Sequence, residues 1–292
     1  MSLPTPPPLE QVCEAALKLP CAPSLLPRLG LALQSDSSSA HEIERLIALD
    51  PSLAAATLRL ANSASLGRGG VDSVQEAVFR LGAKEIYRLA ALALVGRWET
   101  TLGTNVRWSP GDFSRQALCT AIAAEVLCGT TEQLEPAVGY TAGLICDLGK
   151  LALAHSCAEF YPAVRVCQEQ SRCTWEQAER TILGYSHAEV GTRLLKAWSF
   201  PSIFVLAVEH QFDPAAAPKE AIPLLAHLHA AKYLATAMGP GALEEAFLTT
   251  MHGTFLCEFG FNSEMLEAAM PIVLEKATAR LGEKLTVGVI KT

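Results

Sequence analysis

Three short segments carry side chains that could bind a metal ion or move a proton. The first, GLICDLGK (143–150), places Asp147 directly after Cys146 and shortly before Lys150 in an otherwise apolar stretch that we interpret as a helix. A buried carboxylate needs a cation, a metal or several hydrogen bonds. Asp147 is therefore a site residue or the cap of a neighbouring helix. Cys146 would be a nucleophile only beside a base, and inert packing is its alternative.

The other two segments place a histidine at a helix end. In GYSHAEVG (184–191), His187 lies just inside a helix start, where it could be a ligand or a first-turn surface residue. In AVEHQF (207–212), His210 and Gln211 end a helix, and a histidine is electrostatically favoured there without any further role.

The remaining histidines give weaker signals. His227 and His229 precede Lys232 in HLHAAKYLA (227–235), but residues two apart do not share a helix face and cannot readily bind one ion. Three further histidines stand alone and are expected to be structural or exposed: His41, His155 and His252.

Several common chemistries have no sequence motif here. The chain contains no GxxxxGK[ST] or GxGxxG phosphate loop and no GxSxG nucleophile turn. Its nine cysteines form no CxxC pair, which disfavours a structural zinc site. An odd count within mostly apolar stretches predicts free, buried thiols in a reducing compartment.

The composition is that of a globular protein. Of 292 residues, 50% are hydrophobic and 18% are charged, and the formal net charge is -7. No dense Lys/Arg cluster is present, so general binding to nucleic acid is disfavoured. The N-terminus lacks a signal-peptide pattern, and the longest apolar run, at 89–95, is too short to span a bilayer. We therefore expect a soluble, cytoplasmic protein.

We predict that the chain is helical almost throughout, because apolar residues recur at spacings of three and four. Asp50-Pro51, Ser73 with Glu76 and Ser186 with Glu189 are typical of helix starts, and the proline-rich residues 1–8 are expected to fray. Helices are predicted at about 9–19, 24–33, 40–49, 52–63, 74–82, 84–100, 110–128, 174–184, 201–211, 221–237, 241–250 and 262–281. We predict an all-α fold with an N-terminal helical subdomain at 9–108, a helical core at 109–237 and a C-terminal helical extension at 238–292.

Taken together, residues 18–235 resemble the HDOD family, a divergent branch of the HD metal-dependent phosphohydrolases. The most specific part is 46–92, where an Asp-Pro helix start, an Asn-Ser helix end and an Ala-x-x-x-Leu-Gly turn follow one another. In this chain those positions are Asp50-Pro51, Asn62-Ser63, and Ala77 with Leu81-Gly82. The resemblance implies an HD-domain-like multi-helix bundle.

The second half resembles a degenerate HD core. The resemblance places Gln116 where catalytic relatives carry a first histidine, Cys146-Asp147 at the signature His-Asp pair, and Lys150 in a trailing Gly-Lys. It also matches His187 to a retained histidine and His210-Gln211 to a common His-His pair. Lys232 stands where the last carboxylate ligand is expected.

These replacements disfavour metal chemistry. Glutamine is a poor transition-metal ligand, cysteine ligates only as a thiolate, and an ammonium group has no lone pair. Lys232 is expected to replace the ion and to pair with Asp147, an interaction of several kcal/mol before desolvation.

The resemblance implies a non-catalytic bacterial signal-transduction protein without a cofactor. We expect it to bind a signalling protein in trans or a small ligand, with no membrane partner, and homodimerisation stays open. The alternative is a residual phosphohydrolase or phosphodiesterase whose one metal is held by Asp147, His187 and His210, with Cys146 as a further ligand and Lys150 facing phosphate.

A nucleic-acid-binding module is a third candidate. The helices predicted at 40–49, 52–63 and 74–82 could mimic a helix-turn-helix, but 52–63 is too apolar to read bases.

Overall fold

The structure, a computed structural model, describes residues 4–18, 27–30, 39–49, 51–62, 70–99, 109, 111–238 and 253–281. Every regular element within those ranges is a helix, as the apolar spacing predicts. The α-helices are α1 (Leu9–Leu17), α2 (Ser39–Ala48), α3 (Pro51–Ala61), α4 (Val74–Leu81), α5 (Ala83–Glu99), α6 (Asp112–Thr131), α7 (Pro136–Ile145), α8 (Leu148–Ser156), α9 (Tyr161–Ser171), α10 (Trp175–Leu183), α11 (His187–Ala197), α12 (Ser202–Glu209), α13 (Ile222–Ala237), α14 (Gly253–Glu258) and α15 (Ser263–Leu281). Residues 27–30 are also helical, and short 3-10 helices lie at Ala158–Phe160 and Pro214–Ala216.

The N-terminal helices α2 to α5 pack on one another around aliphatic side chains of α2 and α5. Asn62, which follows the last residue of α3, joins the end of that helix to Val71. Its amide nitrogen donates to the carbonyl oxygens of Leu58 and Val71, and its amide oxygen accepts from the Val71 nitrogen at 2.7 Å. The Asn of the family pattern therefore connects the end of α3 to the residues that precede α4. At the next helix start, Ser73 accepts from the Glu76 nitrogen, as predicted.

Two of the predicted features fall on residues outside the described ranges. These are the Asp50 cap and the helix at 241–250.

Helix α6 is the centre of the second half, with α7, α13 and α15 packed around it. Its contact with α7 is close because Gly143 has no side chain. A Cβ atom at that position would lie 2.6 Å from the Thr120 carbonyl oxygen of α6.

Helix α1 packs on α8 and α11 of the second half. The segment before it is docked as well, because the Tyr185 hydroxyl donates to the Pro7 carbonyl oxygen at 2.6 Å. The expectation that residues 1–8 fray is therefore wrong for Pro7. The physical reason is a long-range hydrogen bond that the local proline content does not reveal.

Residues Pro136–Ser156 form the single stretch of the described chain that is apolar and long enough to cross a membrane by composition. Within its most apolar window, 83% is buried inside the protein. Core helices of soluble proteins have the same property.

The start of α6 depends on a buried carboxylate of α5. Glu99 accepts backbone N–H groups of Gly111, Phe113 and Ser114 at 3.0 to 3.1 Å, and it also contacts the Ser114 hydroxyl. The first N–H groups of a helix have no partner inside the helix, and negative charge is favoured there. Glu99 therefore links the end of α5 to the start of α6.

We expect Glu99→Ala to lower the free energy of unfolding by about 3 kcal/mol, because three N–H groups at the start of α6 lose their acceptor. Urea denaturation measures this. Glu267→Ala, on the exposed face of α15, is the matched control and should change stability little. Equal effects of the two substitutions would contradict the proposed role.

Helices α8 and α11 approach so closely at Gly149 that no larger residue fits. A Cβ atom there would lie 1.9 Å from the His187 carbonyl oxygen and 2.8 Å from the Gly191 nitrogen. Both neighbours are backbone atoms, so relief requires the helices to separate.

Gly149→Ala should therefore destabilise the protein by about 3 kcal/mol. Gly129→Ala is the control, because that glycine is also helical and its Cβ would make only ordinary contact, 3.8 Å from Pro136. We expect the control to be neutral or slightly stabilising, since alanine has the higher helix propensity. A thermal melt in which both variants resemble the parent would refute the packing argument.

Candidate functional site

Asp147 lies at a break in the chain between α7 and α8. The sequence interpretation placed it within a helix, but it occupies the position before the first residue of α8, with φ -107° and ψ 13°. Its side chain makes no capping hydrogen bond, so the alternative role as a helix cap is also wrong. The carboxylate instead points toward charged groups of other elements.

Two lysines contact the Asp147 carboxylate. Lys232 Nζ of α13 donates to Asp147 Oδ1 at 2.8 Å, which is the contact that the sequence predicts. Lys150 Nζ of α8 lies 3.4 Å from Asp147 Oδ2, and the Lys150 side chain is only 3% exposed. Burial alone would raise the pKa of the Asp147 carboxyl, but Lys150, Lys232 and then His187 hold that pKa well below its usual range.

Gln211 also hydrogen-bonds to the Lys232 ammonium. Its amide oxygen accepts from Lys232 Nζ at 2.7 Å, and its amide nitrogen donates to the Cys146 carbonyl oxygen at 3.1 Å. Phe212 covers the same group, with its ring centroid 5.4 Å from Lys232 Nζ. The lysine is thus held by a carboxylate, an amide oxygen and an aromatic face.

His187 is fully buried, so its interpretation as a surface residue is wrong. Its Nδ1 lies 2.6 Å from Glu179 Oε2, which also accepts the His187 backbone N–H at 2.8 Å. Its Nε2 lies 3.7 Å from Asp147 Oδ1. The Phe212 ring packs edge-on against the imidazole at 5.2 Å.

Glu179 is the site residue that sequence reasoning missed. It is fully buried on α10, and its second carboxylate oxygen accepts the Trp175 indole N–H at 2.8 Å. Local capping starts this helix, because Thr174 and Gln177 exchange hydrogen bonds between side chain and backbone. The sequence does contain a sign of this role. Glu179 lies four positions after Trp175 and four before Leu183, so an acidic residue falls on the apolar face of the helix.

Helix α11 begins at His187, and one of the two hydrogen bonds of the predicted capping box is formed there. The Glu189 carboxylate accepts the Ser186 backbone N–H at 2.8 Å.

The structure gathers five of the eight candidate residues into one group: Asp147, Lys150, His187, Gln211 and Lys232. Cys146 joins through its backbone, while its buried thiol lies 3.4 Å from the Gly143 carbonyl oxygen. Gln116 lies half-buried on α6 and His210 ends α12. Within the described ranges, neither of these side chains hydrogen-bonds to the group.

This donor set does not fit a divalent cation. In the described part of the chain, no group of three or more His, Cys, Asp and Glu side chains is placed to hold a metal ion. An ammonium group already lies 2.8 Å from the carboxylate that would ligate the metal. It would repel a second cation at that distance.

Lys232→Met should remove about 3 kcal/mol of stability at pH 7, because it leaves the Asp147 carboxylate with one lysine fewer. A carboxyl whose folded-state pKa is lowered stabilises the protein above its unfolded pKa of about 4, and this contribution is lost as the pH falls further. The stability difference between parent and variant should therefore shrink below about pH 4.

Urea denaturation over a pH series measures this difference. Lys196→Met is the control, since its partner Glu209 and Lys196 itself are largely exposed. A Lys232→Met effect no larger than that of the control at pH 7 would contradict the ion pair.

Comparison with known proteins agrees with this architecture. The HDOD domain family model matches residues 19–214. An HDOD domain protein of unknown function from Geobacter sulfurreducens superposes with a TM-score of 0.71 at 20% identity, over 94% of this chain and 99% of that one. A protein from Marinobacter aquaeolei VT8, provisionally named a signal transduction protein, gives 0.69 at 23% identity, over 97% of this chain and 62% of that one.

A third similar structure, from Shewanella amazonensis SB2B, is provisionally named a phosphohydrolase. It gives a TM-score of 0.64 at 20% identity, over 90% of this chain and 93% of that one. These identities establish the shared fold alone, and no curated protein matches the chain. Because the family model covers most of the chain, including Asn62, Asp147, Lys150, His187 and Gln211, this protein belongs to the HDOD domain family.

Proposed function

We propose that this protein is a non-catalytic HDOD signalling domain that acts by binding a protein partner in trans or a small ligand. The observation that carries the proposal is the 2.8 Å contact between Lys232 Nζ and Asp147 Oδ1. A metal phosphohydrolase needs a cation that polarises phosphate and activates water. A lysine supplies positive charge but has no open coordination position. It therefore cannot bind and activate the water molecule that attacks phosphorus.

The residues around this contact support the same proposal. Gln211 holds Lys232 from a second side, and the Lys150 ammonium is buried against the same carboxylate. The ion pair therefore links α13 to the turn between α7 and α8 in the helical core, and a pair that is largely removed from solvent favours one arrangement of these helices. In our proposal this core is the scaffold and the surface carries the binding function.

The proposal disfavours nucleic acid as the partner. Of the basic residues in the N-terminal half, Arg80 pairs with Glu76 at 3.4 Å, and Arg88 pairs with Glu85 at 3.2 Å and with Glu125. Charges neutralised within the protein contribute little to binding a phosphate backbone.

A residual phosphohydrolase is the second candidate. It is favoured by the 3.7 Å approach of His187 Nε2 to Asp147 Oδ1, which places two potential ligands side by side. The provisional name of the Shewanella structure belongs to the same class. For this candidate to hold, Lys232 would have to leave Asp147 and a metal would have to take its place.

Metal analysis separates the two candidates. The full chain, purified without chelator and after removal of any histidine tag, should contain far less than one Mn, Fe, Ni or Zn per molecule by plasma mass spectrometry. Added Mn²⁺ should not produce hydrolysis of bis(p-nitrophenyl) phosphate, because Lys232 already neutralises the carboxylate.

The matched variant is Asp147→Ala with His187→Ala, with folding verified by circular dichroism. Stoichiometric metal in the parent that is lost in this variant, together with phosphodiester turnover, would falsify the non-catalytic proposal. Identical low metal content in both proteins is the expected result.

A further inference from the structure

Two cysteines meet at the turn between α9 and α10. Cys167 lies on α9, and Cys173 follows Arg172, whose φ of 49° reverses the chain after the helix. Cys173 Sγ donates to the Cys167 carbonyl oxygen at 4.0 Å, and the Cys167 thiol is near enough to raise the pKa of the Cys173 thiol. The turn therefore brings together two thiols that are six residues apart.

These two thiols differ from the other described cysteines. Five are buried: Cys13, Cys119, Cys128, Cys146 and Cys157. Burial raises the pKa of Cys119 and Cys157 to about 11, which makes them poor nucleophiles at neutral pH. Cys257 is exposed, whereas Cys167 and Cys173 are both partly exposed and adjacent.

We propose that Cys167 and Cys173 form a reversible disulfide, a modification site that is independent of the function proposed above. The oxidant is a low-molecular-weight disulfide such as oxidised glutathione. One cysteine thiolate attacks it, forming a mixed disulfide and releasing one glutathione. The second thiol loses its proton, attacks the protein sulfur and releases the second glutathione, so two protein thiols are oxidised and one disulfide is reduced.

The bridge would constrain the start of α10. Cys173 precedes Thr174, the residue that caps this helix, and Trp175 follows. Trp175 stacks on Tyr161 of α9 with ring centroids 5.6 Å apart and donates to Glu179, which holds His187. A covalent link between α9 and α10 therefore acts on the elements that support the Asp147 group.

Burial and the neighbouring Cys167 raise the pKa of the Cys173 thiol. Because the thiolate is the reactive form, the bridge should form faster at pH 9 than at pH 7.

The test is incubation of the folded full chain in a Cys21→Ser and Cys257→Ser background with oxidised glutathione, followed by intact-mass and peptide mass spectrometry. The expected product has lost two hydrogen atoms, carries no glutathione, and has a 167–173 crosslink that dithiothreitol removes. Alkylation after oxidation should spare both cysteines.

Cys167→Ser and Cys173→Ser are the matched controls. Each should retain one glutathione on the remaining thiol, because no second thiol can displace it. A parent protein that keeps glutathione on either cysteine, or leaves both alkylatable after oxidation, would overturn the proposal. Both results are independent of metal content, so this site and the proposed function stand or fall separately.

Discussion

The ion pair between Lys232 and Asp147 is the interaction on which the centre of this protein depends. Removing a carboxylate from water is costly unless a cation stays close, and here Lys232 and Lys150 approach it from different helices. The break between α7 and α8 makes this geometry accessible, because the carboxylate is not used to cap α8. Lys232 of α13 is thus tied to the turn between α7 and α8.

A second set of contacts holds the imidazole beside this pair. Trp175 orients Glu179, Glu179 orients His187, and His187 faces Asp147. The close approach at Gly149 brings the backbone of α11 against α8, so these groups have little freedom to rearrange. The structure therefore combines a buried histidine with a carboxylate that already contacts two lysines.

Fold and chemistry can separate within one architecture. Proteins at about 20% identity share the arrangement of helices with this chain, but a reaction depends on a few donor atoms at fixed positions. The resemblance expects a carboxylate at the position of Lys232, and in our proposal a lysine there changes the charge at the centre and leaves the surrounding helices in place. In our proposal, such a protein keeps the architecture and uses its surface for recognition.

Apolar spacing predicted the all-helical fold and many of the helices with several of their caps, and the family resemblance predicted the pairing of Asp147 with Lys232. Helix periodicity and capping are local properties, and the pairing followed from the family pattern. The burial of His187, the position of Asp147 between two helices and the support from Glu179 became visible only in the folded molecule. Glu179 contacts His187 across the turn between α10 and α11, and Lys232 reaches Asp147 from a helix far along the chain. Contacts of that kind are set by packing and charge, and they leave no periodic signal in the sequence.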